Sequence, residues 1–415
     1  VPAPQLWSPD APRLYRATIA LRERGRVVQR WRRAVGLRSV EVKRGLLWLN
    51  NRRIQLRGAS IHEDMPGSGA ALTAADMDRI VSDLKDLGAN VTRAHYLLNE
   101  RLLRRLDRAG IMVWNQAPIW QRDHKARLLW QPKELQRALL TVRRTVTEGR
   151  NHPSVLTHSV ANELTFTPDY KPGTRRFLLM AQAQARDIDP TLPISLDIKG
   201  RPGYPEQFTY HAFDIIGLNQ YFGWYRWVSD FDLLEPHIRE LRDLYPDEAL
   251  VVTEFGAEGR PELANAAPDL KGGYPFQTMH AMRNLDVIDR QPDLSGAIYW
   301  TLQEFAVKPF WDGGADLEEI RTDSIHNKGL IAYDGERKPA WDVARAEFTA
   351  TPFYRDGGSD PLPGDGGLLG RALLFALPAA LLALLLAMAW AVRDVWRATR
   401  PPGGEVVSLP ARRAA

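Results

Sequence analysis

Residues 90–118 read NVTRAHYLLNERLLRRLDRAGIMVWNQAP, and their pattern decides the fold. A short strand-like run over 90–96 leads to 100–108, where apolar residues recur at spacings of three and four. A second apolar run follows over 111–118. Strand, amphipathic helix and strand in that order make one β/α/β unit. Working outward, the unit repeats. Strands are predicted over 54–62 (IQLRGASIH), 155–163 (VLTHSVANE), 193–198 (PISLDI), 215–222 (IIGLNQYF), 249–256 (ALVVTEFG) and 296–305 (GAIYWTLQEF). Helical spacing marks 74–87, 135–148, 175–187, 234–244, 277–289 and 340–348, and only the link from the fifth strand to the sixth is poor in helix. Eight β/α units over roughly 300 residues predict a TIM barrel spanning 49–352. A doubly wound open sheet would call for a glycine-rich phosphate loop after the first strand, and Gly58-Ala59-Ser60 is not one. Residues 1–48 carry strand-like alternation without helix and read as the last strands of a β-sandwich domain.

Composition narrows the chemistry. The 415 residues are 44% apolar, enough for a large core, and contain no cysteine. A disulfide scaffold, a zinc-thiolate site, an iron–sulfur cluster and a cysteine nucleophile are therefore excluded. The net charge of +5 is small for this length and carries no argument for nucleic acid as a partner.

The far end of the chain is unlike the rest. No charged residue occurs between Ala372 and Val392 (ALLFALPAALLALLLAMAWAV), and the 21 residues would span roughly 30 Å as a helix. A single transmembrane helix is expected over 371–393, preceded by a Gly/Pro-rich linker (353–370) and followed by a basic tail (394–415). Arginine is denser after the span than before it. This predicts a cytoplasmic tail, an extracytoplasmic catalytic domain at the cell membrane, and an export signal upstream of Val1. Leu362-Pro363-Gly364-Asp365-Gly366 is also similar to a cell-wall sorting signal, with Asp365 in the place of its threonine.

In a TIM barrel the chemistry sits at the C-terminal ends of the strands. The polar residues there are Arg57, His62, Glu63 and Asp64; Arg93, His95 and Tyr96; Asn115 and Gln116; Asn162 and Glu163; Asn219 and Tyr221; Glu254; and Trp300, Gln303 and Glu304. Two carboxylates facing one cleft beside amides, histidines and aromatic rings suit glycoside hydrolysis, and Trp300 and Trp224 offer faces for a sugar. Asn99-Glu100 repeats the Asn-Glu pair of Asn162-Glu163, but it opens a helix, where glutamate favours the positive end of the dipole. His152, within Asn151-His152-Pro153, reads more readily as a loop brace than as a reacting group.

From Leu6 to Tyr354 the chain resembles glycoside hydrolase family 2, the β-galactosidase, β-glucuronidase and β-mannosidase group. The resemblance rests on Leu6-Trp7-Ser8-Pro9-Asp10, Gly36-Leu37-Arg38, Leu49-Asn50-Asn51-Arg52, His62-Glu63-Asp64, Arg93 with His95-Tyr96, Val113-Trp114, Arg150-Asn151-His152-Pro153-Ser154 with Asn162-Glu163, and Thr253-Glu254-Phe255-Gly256. It implies a retaining exo-β-glycosidase with Glu163 as general acid/base and Glu254 as nucleophile. Asn162 would hold the 2-hydroxyl of the sugar and Tyr221 would orient the nucleophile. Asp64, His95 and Trp300 would line the −1 subsite. It implies a carbohydrate substrate and neither cofactor nor metal. The glucuronidase branch of the family holds the uronate with an Asn-x-Lys pair; here the segment is His326-Asn327-Lys328, with lysine kept and histidine in place of asparagine. Arg93 stands one residue closer to His95 than in many relatives. A membrane-anchored carbohydrate-binding or scaffold protein with an inactive barrel is the reading of another class.

Overall fold

The computed structural model describes residues 3–120, 129–308 and 324–355. The chain begins with a hairpin of β1 (Tyr15–Glu23) and β2 (Arg26–Val35). Its two turn residues, Arg24 and Gly25, take φ of 48° and 82°, which a type I′ hairpin turn requires. Residues 1–48 were expected as the last strands of a β-sandwich; among the described residues β1 and β2 pair only with each other. Ile19, Leu21 and Trp31 remain 57%, 51% and 41% exposed.

The strand-like stretch 27–42 is not continuous. It breaks at Gly36-Leu37-Arg38-Ser39, where the Arg38 guanidinium donates to the carbonyls of Pro153 (2.8 Å) and Val155 (2.6 Å). Gly36 lies so close to Pro153 that a Cβ would come within 2.5 Å of it. Beyond the break, β3 (Val40–Lys43), β4 (Leu46–Leu49) and β5 (Arg52–Arg53) form a second small antiparallel sheet. Leu46, Leu47 and Leu49 are buried, and the Leu47 amide donates to Ser295 Oγ at the start of the last barrel strand.

The barrel runs β6 (Leu56–Ser60), α1 (Ala74–Asp86), β7 (Val91–Ala94), α2 (Glu100–Ala109), β8 (Met112–Gln116), α3 (Pro132–Gly149), β9 (Val155–Asn162), α4 (Pro172–Ile188) and β10 (Ile194–Lys199). It continues with β11 (Ile215–Asn219), α5 (Leu234–Leu244), β12 (Ala249–Glu254), α6 (Tyr274–Asp289) and β13 (Leu294–Tyr299). A two-stranded ribbon, β14 (Phe305–Ala306) with β15 (Ile325–His326), precedes α7 (Pro339–Ala350). All eight barrel strands are parallel, and β13 pairs with β6, so the sheet is closed and the open-sheet alternative is excluded. The helix-poor link between β10 and β11 holds a single 3-10 segment, Phe208–Ala212.

Local chemistry sets the element ends. Thr73 and Asp76 cap α1 reciprocally. Asn99 accepts the Arg101 amide at the start of α2, and Gly110 ends that helix at φ 71°. Asn99-Glu100 is therefore a helix start, as its context predicted. The loop 150–154 is anchored by Asp107, which accepts His152 Nδ1 (2.7 Å), Ser154 Oγ (2.6 Å) and the Ser154 amide (3.1 Å). His152 braces the N-terminal side of the barrel, far along β9 from the strand's functional end.

The expected membrane helix, linker and tail fall on 356–415, outside the described residues apart from the first positions of the linker. Among the described residues no helix is long and apolar enough to cross a membrane.

Candidate active site

β12 delivers Glu254 and β9 ends one residue before Glu163, so the two carboxyls come from strands on opposite sides of one barrel mouth. Glu254 is 5% exposed and closely held. Arg93, from β7, donates through Nη1 to Oε1 at 2.8 Å, and the Tyr221 hydroxyl donates to Oε2 at 2.6 Å. Burial lifts the Glu254 carboxyl to about 7, with the Glu163 charge adding to the lift and Arg93 and Tyr221 opposing it. The Tyr221 hydroxyl is driven well above its ordinary range by burial and by the adjacent carboxylate, so it stays a donor.

Arg93 joins the two sides. Its Nη2 donates to Asn162 Oδ1 at 2.8 Å and lies 3.4 Å from Asp197 Oδ2. Asp197, on β10, is buried and also accepts from Ser159 Oγ at 2.7 Å. One guanidinium thus faces two buried acids. Burial alone would weaken its charge, but Asp197 and Glu254 more than restore it. It cannot compensate both acids fully, and burial leaves Asp197 raised as well. Arg93, one residue closer to His95 than in many relatives, stands at the centre of the site. Asp197 escaped the sequence reading; its signal was an acid inside the otherwise apolar run PISLDI.

Glu163 is half-buried and sits at φ 50°, in the left-handed region that side chains seldom adopt. Its amide donates to the Asp197 carbonyl at 2.8 Å, which holds the turn. Asn219, at the end of β11, donates through Nδ2 to Glu163 Oε1 (2.8 Å) and to Asn162 Oδ1 (3.0 Å), and its own Oδ1 accepts from Thr253. A continuous hydrogen-bonded path therefore runs Glu163–Asn219–Asn162–Arg93–Glu254.

Rings close the floor. Gln116 Nε2 lies 3.2 Å from His95 Nδ1; as the donor it leaves the ring proton on Nε2, which faces Glu254 Oε1 at 3.5 Å. Burial and the Arg93 cation push His95 well below its usual range and His62 down to about 4, so both imidazoles are neutral. Trp300 lies against His95 with ring centres 4.6 Å apart and donates from Nε1 to His326 Nε2 at 3.3 Å. Phe305 is stacked between His62 (3.8 Å) and His326 (4.7 Å). The histidine that replaces asparagine therefore belongs to an aromatic stack and accepts from Trp300. Two residues on, Lys328 is buried, with Nζ 3.1 Å from the Tyr225 hydroxyl and over the rings of Tyr221, Trp224 and Tyr225 at 5.1–5.4 Å.

Other strand-end residues do different work. Arg57, expected at the mouth, is the second residue of β6 and so lies near the opposite end of that strand, where it turns outward to pair with Asp289 on α6. Glu63 accepts the Asn99 amide ahead of α2, and Asn115 bonds the Thr145 carbonyl and His158. Glu304 pairs with Lys338 and accepts from Asn327. Asp64 accepts the Ala306 amide at 2.7 Å and so ties the first barrel loop to β14. Trp224 is buried with Lys328 over its ring and packs near Phe276, which corrects its expected part as a platform for sugar.

The chain is similar to known proteins. The sequence description "Glycosyl hydrolases family 2, TIM barrel domain" matches residues 40–271, more than half of the chain, and "Glycosyl hydrolases family 2" matches 1–38. A putative beta-glucuronidase of Formosa agariphila is 31% identical over 382 residues, covering 84% of this chain and 44% of that protein. The Beta-glucuronidase of Streptococcus agalactiae is 26% identical over 372 residues, covering 85% and 59%. A Beta-galactosidase of Enterobacter cloacae is 35% identical over 167 residues, covering 39% and 16%. Among solved structures, a beta-galacturonidase from Eisenbergiella tayi superposes with a TM-score of 0.76 at 24% identity, covering 85% of this chain and 61% of that one. The beta-D-glucuronidase of Dictyoglomus thermophilum gives 0.75 at 25%, covering 85% and 60%. The chain spans about half the length of the curated relatives it matches. Closed barrel, site and family match coincide, and the chain belongs to glycosyl hydrolase family 2.

Proposed function

We propose that this chain carries the catalytic barrel of a retaining exo-β-glycosidase that removes terminal β-linked sugars by double displacement. The observation that supports it most is the path Glu163–Asn219–Asn162–Arg93–Glu254, which links the two carboxyls across the barrel mouth. Glu254 is the nucleophile: its ionised oxygen attacks the anomeric carbon while Glu163, in its acid form, gives its proton to the leaving oxygen and the C–O bond breaks. Glu163, now a carboxylate, takes a proton from water. The resulting hydroxide attacks the anomeric carbon, frees Glu254 and yields the β-hemiacetal. Arg93 and Tyr221 hold the nucleophile's two oxygens in line, and Asn162 is placed to meet the 2-hydroxyl. Asp64, His95 and Trp300 would border the bound sugar.

Uronides are the favoured substrates, because Lys328 brings a buried cation to within reach of Tyr221 and Tyr225 at the nucleophile's side of the cleft. The test is a panel of 4-nitrophenyl β-glucuronide, β-galacturonide, β-galactoside and β-mannoside, run with Glu163→Gln and Glu254→Gln as controls. Turnover of a uronide that Glu254→Gln abolishes supports the reading. Wild-type rates in Glu254→Gln, or no hydrolysis of any member, would overturn it in favour of an inactive scaffold. Lys328→Ala should raise KM for the uronide and leave a galactoside little changed. We also propose that 372–392 anchors the protein in the cell membrane with the barrel outside and the tail in the cytoplasm, on the strength of its uncharged length. Full-length protein that washes off membranes in alkaline carbonate would refute the anchor.

A further inference from the structure

The leaving group must lie on the Glu163 side of the cleft, since Glu163 protonates it, and that side has a chemistry of its own. Three residues past Glu163, Phe166 stacks on Tyr204 with ring centres 4.5 Å apart and planes 7° from parallel. Two cations border this pair: Lys199 Nζ lies 5.3 Å from the Phe166 ring centre, and the Arg201 guanidinium 6.0 Å from Phe166 and 5.7 Å from Tyr204. Lys199 is tied to the site by register, because it pairs across the sheet with Asn219, the residue that donates to Glu163. The Gly200 amide donates to the Asn219 carbonyl at 2.7 Å, which holds the loop that carries Arg201 and Tyr204. On the other flank Trp120 is 44% exposed, and its backbone bridges to Asn162.

Neither Lys199 nor Arg201 has a carboxylate partner among the described residues. The acids of the neighbouring loops are engaged: Asp169 accepts the amides of Phe208 and Thr209, and Glu206 pairs with His211 at 2.8 Å. Two uncompensated cations beside a stacked aromatic pair at the mouth of a sugar site favour a ring that carries negative charge. The faces and edges of the rings take the ring itself, and the cations take the anion.

We propose that Phe166, Tyr204, Lys199 and Arg201 form a leaving-group subsite selective for anionic rings, namely sugars or phenols bearing a carboxylate or a sulfate. This rests on the reading of Glu163 as the acid/base. The test compares two glycosides of one sugar, 4-nitrophenyl and 3-carboxy-4-nitrophenyl, with a 3-sulfo-4-nitrophenyl glycoside to separate carboxylate from sulfate. The readout is the ratio of kcat/KM, anionic over neutral, in which any loss common to both substrates cancels. K199A/R201A should lower that ratio about tenfold, roughly threefold for each cation, the half-exposed Lys199 and the exposed Arg201, and K199E/R201E should lower it further. Added salt should shrink the wild-type preference. Calorimetric binding of the free aglycone 5-hydroxy-2-nitrobenzoate, to wild type and to K199A/R201A, probes the subsite without turnover. Hydrolysis with the same ratio in all three proteins overturns the subsite. Absent hydrolysis with aglycone binding that the double variant weakens overturns the glycosidase reading and leaves the subsite standing.

Discussion

The two walls of the barrel mouth differ in how much freedom they leave a glutamate. On the β12 wall Glu254 is 5% exposed, its two oxygens taken by Arg93 and Tyr221, with Asp197 steadying the arginine from behind. On the β9 wall Glu163 is half-buried, at φ 50°, beside a lip of aromatic rings and cations. The contrast suits the division of labour that the proposed double displacement would require. A nucleophile has to meet one carbon along one line, so rigid donors are an advantage. A group that gives a proton and then takes one must adjust to a departing aglycone and an arriving water, so it sits where solvent and leaving group can reach it.

Removing the fixed carboxylate should break the contrast most. Glu254→Gln is expected to lower kcat by at least about 10⁴-fold on every aryl glycoside. Glu163→Gln should cost far less on 4-nitrophenyl substrates, whose leaving group departs with little acid assistance, and far more on alkyl glycosides. Equal losses in both variants on both substrate types, in steady-state assays, would erase the proposed asymmetry. Next is the support behind the wall. Asp197→Asn should reduce kcat roughly a hundredfold, because Arg93 loses one of the two acids that orient it.

The pH profile sharpens the same point. With Glu254 lifted to about 7, its ionised form is lost as pH falls through that value, so kcat/KM should decline on an acid limb near pH 7 rather than near pH 4. In Asp197→Asn the arginine serves Glu254 alone and a neighbouring negative charge is gone, so the limb should move to lower pH. In Tyr221→Phe a donor to the carboxylate is lost, so the limb should move to higher pH, with a drop of about tenfold in kcat. Limbs that shift the other way would show that these partners do not tune Glu254.

The smallest effect on turnover is expected at the opposite end of the barrel. Asp107→Ala leaves the donors of His152 and Ser154 unmatched and should cost roughly 3 kcal/mol of stability, a fall of several degrees in Tm by calorimetry. Its kcat below that temperature should match the wild type. A matching loss of kcat would mean that the loop 150–154 reaches the chemistry after all.

Much of this contrast was legible in the sequence, and the parts that were not share a cause. Period-two and period-3.6 patterns exposed eight strands and their helices because burying one face of each element leaves a periodic trace. Glu163 and Glu254 stood out because they close apolar strands. Asn115 and Glu304 stood at strand ends too, yet they serve helix packing and a buried ion pair with Lys338. A strand end places a residue at the rim without telling which way its side chain leaves the sheet. Asp197 was missed for the complementary reason: it lies within a strand read as apolar and becomes intelligible only beside Arg93, more than a hundred positions earlier. Trp224 looked like a sugar platform because aromatic residues serve both cores and subsites.

The sequence by itself determined the repeat, the order of the elements, the two acids and the family, since each is written in residue types at short spacing. It also shows the uncharged run of 372–392, whose setting lies beyond the described residues. Tertiary structure alone decided which cation faces which acid, that Arg93 is shared between Glu254 and Asp197, and that His326 joins a stack with Phe305. The physical reason is range. Periodicity and capping act over a few residues, whereas the burial that lifts Glu254 to about 7, and the Arg93 and Tyr221 groups that oppose the lift, come together only when the sheet closes on itself.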